Sequence, residues 1–300
     1  MCCVSFKQLK WSHKYVRKEL GGEFLERAEK EIRETPEVKS EALAALRKLV
    51  QDERDLIFPA DEEEHLLKFL RPCKFYPDSS FKLMKRFYRF KQKHPKYSEN
   101  LTPSAMKYAI SHGIATFLPN RDKGGCRIMI VQIGTRWNPK EVKLIDLFRC
   151  IMMFIEIAMA EPLTQLSGVQ VIFDMKDLTM SQVCQFGPSF AAHLLEWVQE
   201  CIPLRLKGIH IVNEPRIFNL LFAIFKPFMH DKLRKRIIFH GTTRDKLVES
   251  FGIEYIPNSY GGNADVPEIS GQLLAELMCY YEDDFIKAST IGYIKEKVIS

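Results

Sequence analysis

The chain has 300 residues, 46% apolar and 27% charged, with a formal charge of +6 at neutral pH. These fractions exclude a disordered chain, a collagen-like fibre and a disulfide-stapled miniprotein, and the length predicts about two domains of roughly 150 residues. The basic charge is gathered. Residues 79–98 hold seven Lys/Arg and no acid, and residues 205–246 hold ten against Glu214, Asp231 and Asp245. Two basic patches on an otherwise acidic body predict an anionic partner: a membrane surface, a nucleic acid or a phosphorylated small molecule.

The opening MCCVSFKQLKWSHK has no apolar core segment, so no signal peptide is expected. Cys2 excludes N-myristoylation; Cys2 and Cys3 are either palmitoylation sites or part of an ordinary terminus. The eight cysteines are scattered without C-x-x-C. They predict reduced thiols in the cytoplasm and no metal site.

Residues 1–95 read as a helical domain. Glu23–Arg33 and Glu37–Val50 alternate charge with Leu, Ala and Val at helical spacing, with Pro36 fitting the first turn of the second. Asp61–Glu64 is an acidic first turn leading into His65–Leu70. In Phe81–Lys93, Leu83, Phe87 and Phe90 make the apolar face, while Lys82, Lys85, Arg86, Arg89 and Lys93 make a basic stripe.

After Pro95 the pattern changes. Arg127–Ile133, Val169–Asp174, Gly208–Val212 and Ile237–His240 are short β-rich runs, separated by helical stretches near 140–160, 181–200 and 214–230. That alternation predicts an α/β domain, a mostly parallel sheet flanked by helices. Arg121–Gly125 reads as the turn entering the first strand. The longest run without a charged residue, Leu178–Leu195, contains Gly187-Pro188 and polar residues, so it does not make a spanning helix of ~20 apolar residues.

An α/β chain invites an enzymatic reading, but its motifs are missing. There is no G-x-G-x-x-G, no G-x-x-x-x-G-K-[ST], no G-x-S-x-G and no H-E-x-x-H. Asp174 closes a strand and reads as a turn or capping residue. His193, His210, His230 and His240 lack an evident Ser or Cys partner.

Asn213-Glu214-Pro215 predicts a helix start. The following Arg216–Met229 has two apolar stripes: Ile217, Leu220, Leu221, Ile224 and Phe228 on one side, and Phe218, Phe222, Phe225 and Met229 on another. A helix covering a core needs one stripe. Two mean either complete burial or a lid with a second apolar partner. Arg216, Lys226, Lys232, Arg234, Lys235 and Arg236 bracket the segment and favour the lid.

The segments FLRPCKF (69–75), RDKGGCRIMI (121–130), GVQVIFDMKDLT (168–179), PLRLKGIHIVNEPRIFNLLFAIFKPFMHDKLRKRIIFHG (203–241) and PNSYGG (257–262) are together highly specific. On them the chain resembles the CRAL-TRIO lipid-binding family, and within it the tocopherol-transfer-like members, over roughly residues 40–265. The resemblance implies a helical N-terminal domain (1–95), a CRAL-TRIO lipid-binding domain (96–265) with a mobile helical gate over an apolar cavity, and a C-terminal extension (266–300). It implies a carrier of a hydrophobic ligand, not an enzyme, with no cofactor beyond that ligand. The gate corresponds to about Asn213–Arg236.

Four basic positions that bind a phosphatidylinositol bisphosphate head group in the tocopherol carrier match Arg205, Lys207, Lys232 and Arg236. Cavity positions carry over as Phe148, Ile151, Ile155, Val169, Phe173 and Leu178, and then Phe186, Leu194, Trp197, Ile202, Leu204 and Ile209. Ile151 and Ile155 stand where the tocopherol carrier has two serines. The implied ligand is therefore tocopherol (vitamin E)-like or a more apolar isoprenoid, sterol-like or retinoid lipid. Its implied partners are phosphoinositides on an anionic membrane, met peripherally and transiently at endosomal or other intracellular membranes. Two other readings stay open: a phosphoinositide-reading trafficking scaffold, and a nucleic-acid binder using Phe81–Tyr97. The aromatics of Phe81–Tyr97 lie at core-facing spacing, unlike a stacking platform.

Overall fold

A computed structural model describes residues 20–266 and 269–294; Cys2 and Cys3 lie outside them. The amino-terminal helices form where the sequence places their signals. Thr35 caps the helix Pro36–Asp52 by accepting from the Val38 N–H at 3.2 Å, and Pro36 fills the first turn, where no N–H is needed. The helix Pro77–Lys93 buries Leu83, Met84, Phe87, Tyr88 and Phe90.

Its basic stripe is largely spoken for. Lys85 and Arg89 each lie 3.6 Å from Glu53, Arg86 3.8 Å from Glu200, and Lys93 3.8 Å from Glu196. Phe87, Tyr88, Phe90 and Tyr97 are buried, so this helix offers nucleic acid no stacking face. The first basic patch is thus largely a set of ion pairs, two within the helical region and two reaching Glu196 and Glu200.

The strands are β1 (Leu56–Ile57), β2 (Ala115–Arg121), β3 (Arg127–Gln132), β4 (Val169–Asp174), β5 (Leu206–Val212), β6 (Ile237–Phe239) and β7 (Gly292–Tyr293). The main sheet has order β2-β3-β4-β5-β6; β2 pairs antiparallel to β3 and the other pairs are parallel. The edge strand β2 is absent from the sequence reading because Pro119 and Asn120 interrupt it, which an edge tolerates. Arg121–Gly125 leads into the Arg127–Gln132 strand as expected, and because β2 precedes it, it also closes the β2–β3 hairpin. Asp122 Oδ1 accepts there from the Gly124 and Cys126 N–H groups at 2.8 Å each.

Alternation splits the sheet into two cores. Met129, Val131, Val171 and Ile211 face the larger one, with the helix Leu144–Met159. Ile128, Ile130, Ile172 and Val212 face a smaller one capped by Leu247, Phe251 and Tyr260. The larger core runs without interruption from Ala28 to Phe285, across residue 95. Residues 271–293 fold back on the body. The helix Gly271–Cys279 meets the helix Pro103–Ser111 so closely that a Cβ on Gly271 would lie 1.9 Å from the Ser111 carbonyl. Strand β7 pairs with β1, and the Tyr293 hydroxyl donates to Glu53 at 2.9 Å. Among the described residues no helix is long and apolar enough to cross a membrane. Burial pushes the Cys126, Cys150 and Cys201 thiols up to about 12, so they remain protonated.

Candidate functional site: an apolar cavity beneath a short helix

Between the larger face of the sheet and its helices lies a cavity of about 210 Å³, lined only by apolar residues. Each of its walls follows from local sequence. The helix Leu144–Met159 brings Phe148, Ile151 and Ile155, spaced three and four apart on one face. Strands β4 and β5 bring Val169, Phe173 and Ile209. Phe186, before the helix Pro188–Glu196, and Leu194, on it, close one side with Trp197, Ile202 and Leu204.

Leu178 is the exception. It is buried, but in the turn after β4, where its N–H donates to Met175 O at 3.1 Å, and Met175 lines the cavity in its place. The alternation of the strands would have found further lining residues: Met129, Val131 and Ile133 on and just after β3, Val171 on β4 and Ile211 on β5.

The roof differs from the sequence expectation. The α-helix spans only Phe218–Phe225, followed by a 3₁₀ turn over Lys226–Phe228. Pro227 has no N–H for the helical ladder. Asn213 does not cap this helix. It sits at φ +56°, donates its amide to Asp174 Oδ1 at 2.7 Å and accepts from Arg244 at 2.6 Å. Asp174 also accepts from Tyr260 at 3.0 Å and from the Lys176 N–H, so this strand-end acid anchors the segment that leads into the roof. The Glu214 carboxylate accepts from the Gly241 N–H at 3.0 Å.

The two stripes separate. Phe218, Phe222, Phe225 and Met229 line the cavity, joined by Leu221. Ile217, Leu220, Ile224 and Phe228 do not, and Leu220 is 54% exposed. Phe239 on β6 packs its ring against Phe218 and Phe222, at 6.0 and 5.2 Å.

Beside the roof stand the four basic positions. Arg205 donates to Glu31 at 2.9 Å and to the Leu166 carbonyl at 2.6 Å. Burial and then Arg205 depress the Lys207 amine, and the same two causes depress Arg236; the structure thus brings these three cations together. Lys232 is on the exposed turn Asp231–Arg234 leading to Arg236. Burial pushes the Glu31 carboxyl up, but hydrogen bonds from Arg27 and Arg205 outweigh it and hold the group below the ordinary range.

The histidines find partners other than Ser or Cys. His193 meets the Tyr97 hydroxyl at 3.2 Å, His230 lies 3.3 Å from Glu200, and His210 and His240 join at 2.9 Å.

A family model described as CRAL/TRIO domain matches residues 111–262. The chain is 33% identical over 264 residues to alpha-tocopherol transfer protein-like of Homo sapiens, covering 87% of this chain and 75% of that protein. It is 28% identical over 267 residues to Clavesin-2 of Homo sapiens, covering 88% and 81%. The crystal structure of Sfh5 covers 84% of this chain and 98% of its own at a TM-score of 0.49 and 13% identity. With a family model matched over half of its length, and relatives matched over nearly all of it, the chain belongs to the CRAL/TRIO family.

Proposed function

We propose that the protein is a carrier that holds a hydrophobic lipid, tocopherol-like, retinoid or another isoprenoid, in this cavity and exchanges it at phosphoinositide-containing membranes of the cytoplasmic compartment. One observation carries the reading: a cavity lined by apolar residues is roofed by a helix with one apolar stripe inside and a second outside, next to a cluster of cations. A tail of ~16 carbons costs about 13 kcal/mol to expose at ~0.8 per methylene. Spontaneous escape from a bilayer is correspondingly slow, and a dry cavity at the surface removes most of that barrier.

Each cation near an anionic leaflet contributes about 1 kcal/mol, so Arg205, Lys207, Lys232 and Arg236 supply ~4 kcal/mol, enough to dock and not to anchor. The head group engages the cations, Leu220, Ile224 and Phe228 meet the acyl region, and the roof leaves the cavity open to lipid. No step makes or breaks a covalent bond. The likeness to a protein named for tocopherol transfer supports the same reading and favours it over a scaffold that holds lipid without moving it.

Vesicle-to-vesicle transfer of a fluorescent tocopherol analogue tests it. A Lys232→Ala/Arg236→Ala double variant is expected to slow transfer to phosphoinositide vesicles and leave transfer to neutral vesicles unchanged. Undiminished transfer to phosphoinositide vesicles would refute the reading.

A further inference from the structure

Trp197 lines the cavity and is 1% exposed. Its indole Nε1–H is the one nitrogen or oxygen that the lining side chains carry, and it has no acceptor among the described residues. A buried indole N–H ordinarily finds a partner, and leaving one unpaired costs the desolvation of the group with nothing to offset it. The Trp137 indole, by comparison, donates to the Val142 carbonyl at 2.8 Å. The Phe148 ring stands perpendicular to Trp197 at 5.3 Å, and a π face is a weaker acceptor than an oxygen. Trp197 also opens a π-helical turn, Trp197–Cys201, a backbone form frequent at functional sites.

We infer that Trp197 is the polar contact of the bound lipid: its Nε1–H donates to a single acceptor oxygen on an otherwise apolar ligand. Resting on the carrier reading above, this narrows the ligand class. An indole N–H only donates, so the ligand group must accept, as a carbonyl, ester, ether or hydroxyl oxygen does. A pure hydrocarbon leaves the N–H unpaired. Ile151 and Ile155 offer no hydroxyl in the same cavity, which makes the indole the feature that separates an oxygen-bearing isoprenoid from its deoxygenated counterpart.

Phytone, an isoprenoid methyl ketone, and pristane, a branched hydrocarbon of matching skeleton, are the probes. The full-length chain, labelled with nitrogen-15, shows its tryptophan indole N–H signals directly, and Trp197→Phe identifies the one from Trp197. Phytone is expected to move that signal downfield in the proton dimension while pristane does not, with the Trp137 signal as an unmoved internal control. Trp197→Phe is expected to weaken phytone about fivefold to tenfold and pristane less than about twofold.

An indole signal that responds alike to both probes, or equal weakening of both by the substitution, overturns the assignment and leaves the carrier reading standing. Failure of the wild-type chain to take up either probe overturns the carrier reading and this inference with it. Should Trp197→Phe fold poorly, Trp11→Phe and Trp137→Phe identify the other two indole signals and leave that of Trp197 by elimination, so the probe comparison is still read on the wild-type chain.

Discussion

The Gln199 side chain is bonded to the backbone of His230: its Oε1 accepts from the His230 N–H at 2.6 Å, while its amide donates to Phe228 O at 3.1 Å. It thereby brackets Met229, whose side chain lines the cavity. The His230 ring lies 3.3 Å from Glu200 on the same π turn. The carboxyl end of the roof is thus fastened by one neutral side chain, and its amino end by the Asn213–Asp174 and Glu214–Gly241 bonds. Two neutral hydrogen bonds at a part-exposed site are worth about 1 kcal/mol each at most.

Gln199→Ala is therefore expected to release the carboxyl end first. Amide hydrogen exchange over residues 218–229 should quicken about fivefold to tenfold, and loss of a bound fluorescent lipid to acceptor vesicles should quicken with it. Unchanged exchange over that segment would show that Gln199 is not a latch.

A second prediction concerns Glu31. Its carboxylate lies on Arg205, one of the four cations proposed to take an anionic head group. Binding of a phosphate there must displace or share that partner. The pair is part-exposed, and such pairs are worth about 0.2–1 kcal/mol. Glu31→Gln is expected to tighten co-sedimentation with phosphoinositide vesicles by up to about fivefold, more so at low salt. Weaker binding by this variant would mean that Glu31 positions Arg205 for the head group instead of competing with it.

The outer stripe can be tested apart from the inner one. Leu220 is 54% exposed and does not line the cavity, whereas Phe222 does. An exposed substitution changes stability by about 0.5 kcal/mol or less. Leu220→Asp should therefore leave the melting temperature and ligand affinity unchanged while slowing intermembrane transfer severalfold. Phe222→Asp should lower ligand affinity itself. Equal effects of the two on affinity would contradict the division of the faces.

Much of this was legible in the sequence because it is periodic. The strands β3 to β6 and the helix Pro77–Lys93 are marked by regular apolar spacing, and both stripes of the roof could be read from residues 217–229. The rest depended on contacts that periodicity does not encode. The edge strand β2 was hidden by Pro119, and the roof helix was cut short by Pro227. Asn213 looked like a cap because Asn caps helices, yet its side chain is engaged by Asp174 and Arg244, which come from distant segments. The stripe of Lys85, Arg86, Arg89 and Lys93 promised an anionic partner only because Glu53, Glu196 and Glu200 are remote in sequence.

The last prediction concerns acid. On the far side of the sheet from the cavity, Gln170 donates to Asp122, and its Oε1 accepts from His210 Nε2 at 2.9 Å. This leaves His210 Nδ1 as an acceptor for the His240 Nε2–H at 2.9 Å, so the His210 ring is neutral in the folded chain. Burial, and then the neighbouring His240, push His210 down to about 4; burial also lowers His240, against the opposing pull of Glu214.

In the unfolded chain a histidine titrates near 6.5, so below that pH the unfolded state binds a proton that the folded state refuses until about pH 4. The stability from the neutral His210 is present above about pH 6.5 and is lost as pH falls from there toward 4, with about 2 kcal/mol gone by roughly pH 5. The urea midpoint should drop between about pH 7 and pH 5, above the range where the carboxylates Glu31 and Glu161 titrate. His210→Gln should flatten that drop whatever it does to stability at neutral pH. Parallel pH profiles for the wild-type chain and the variant would remove His210 as the cause, and a rise in the midpoint on acidification would mean that the folded chain binds protons more readily than the unfolded one.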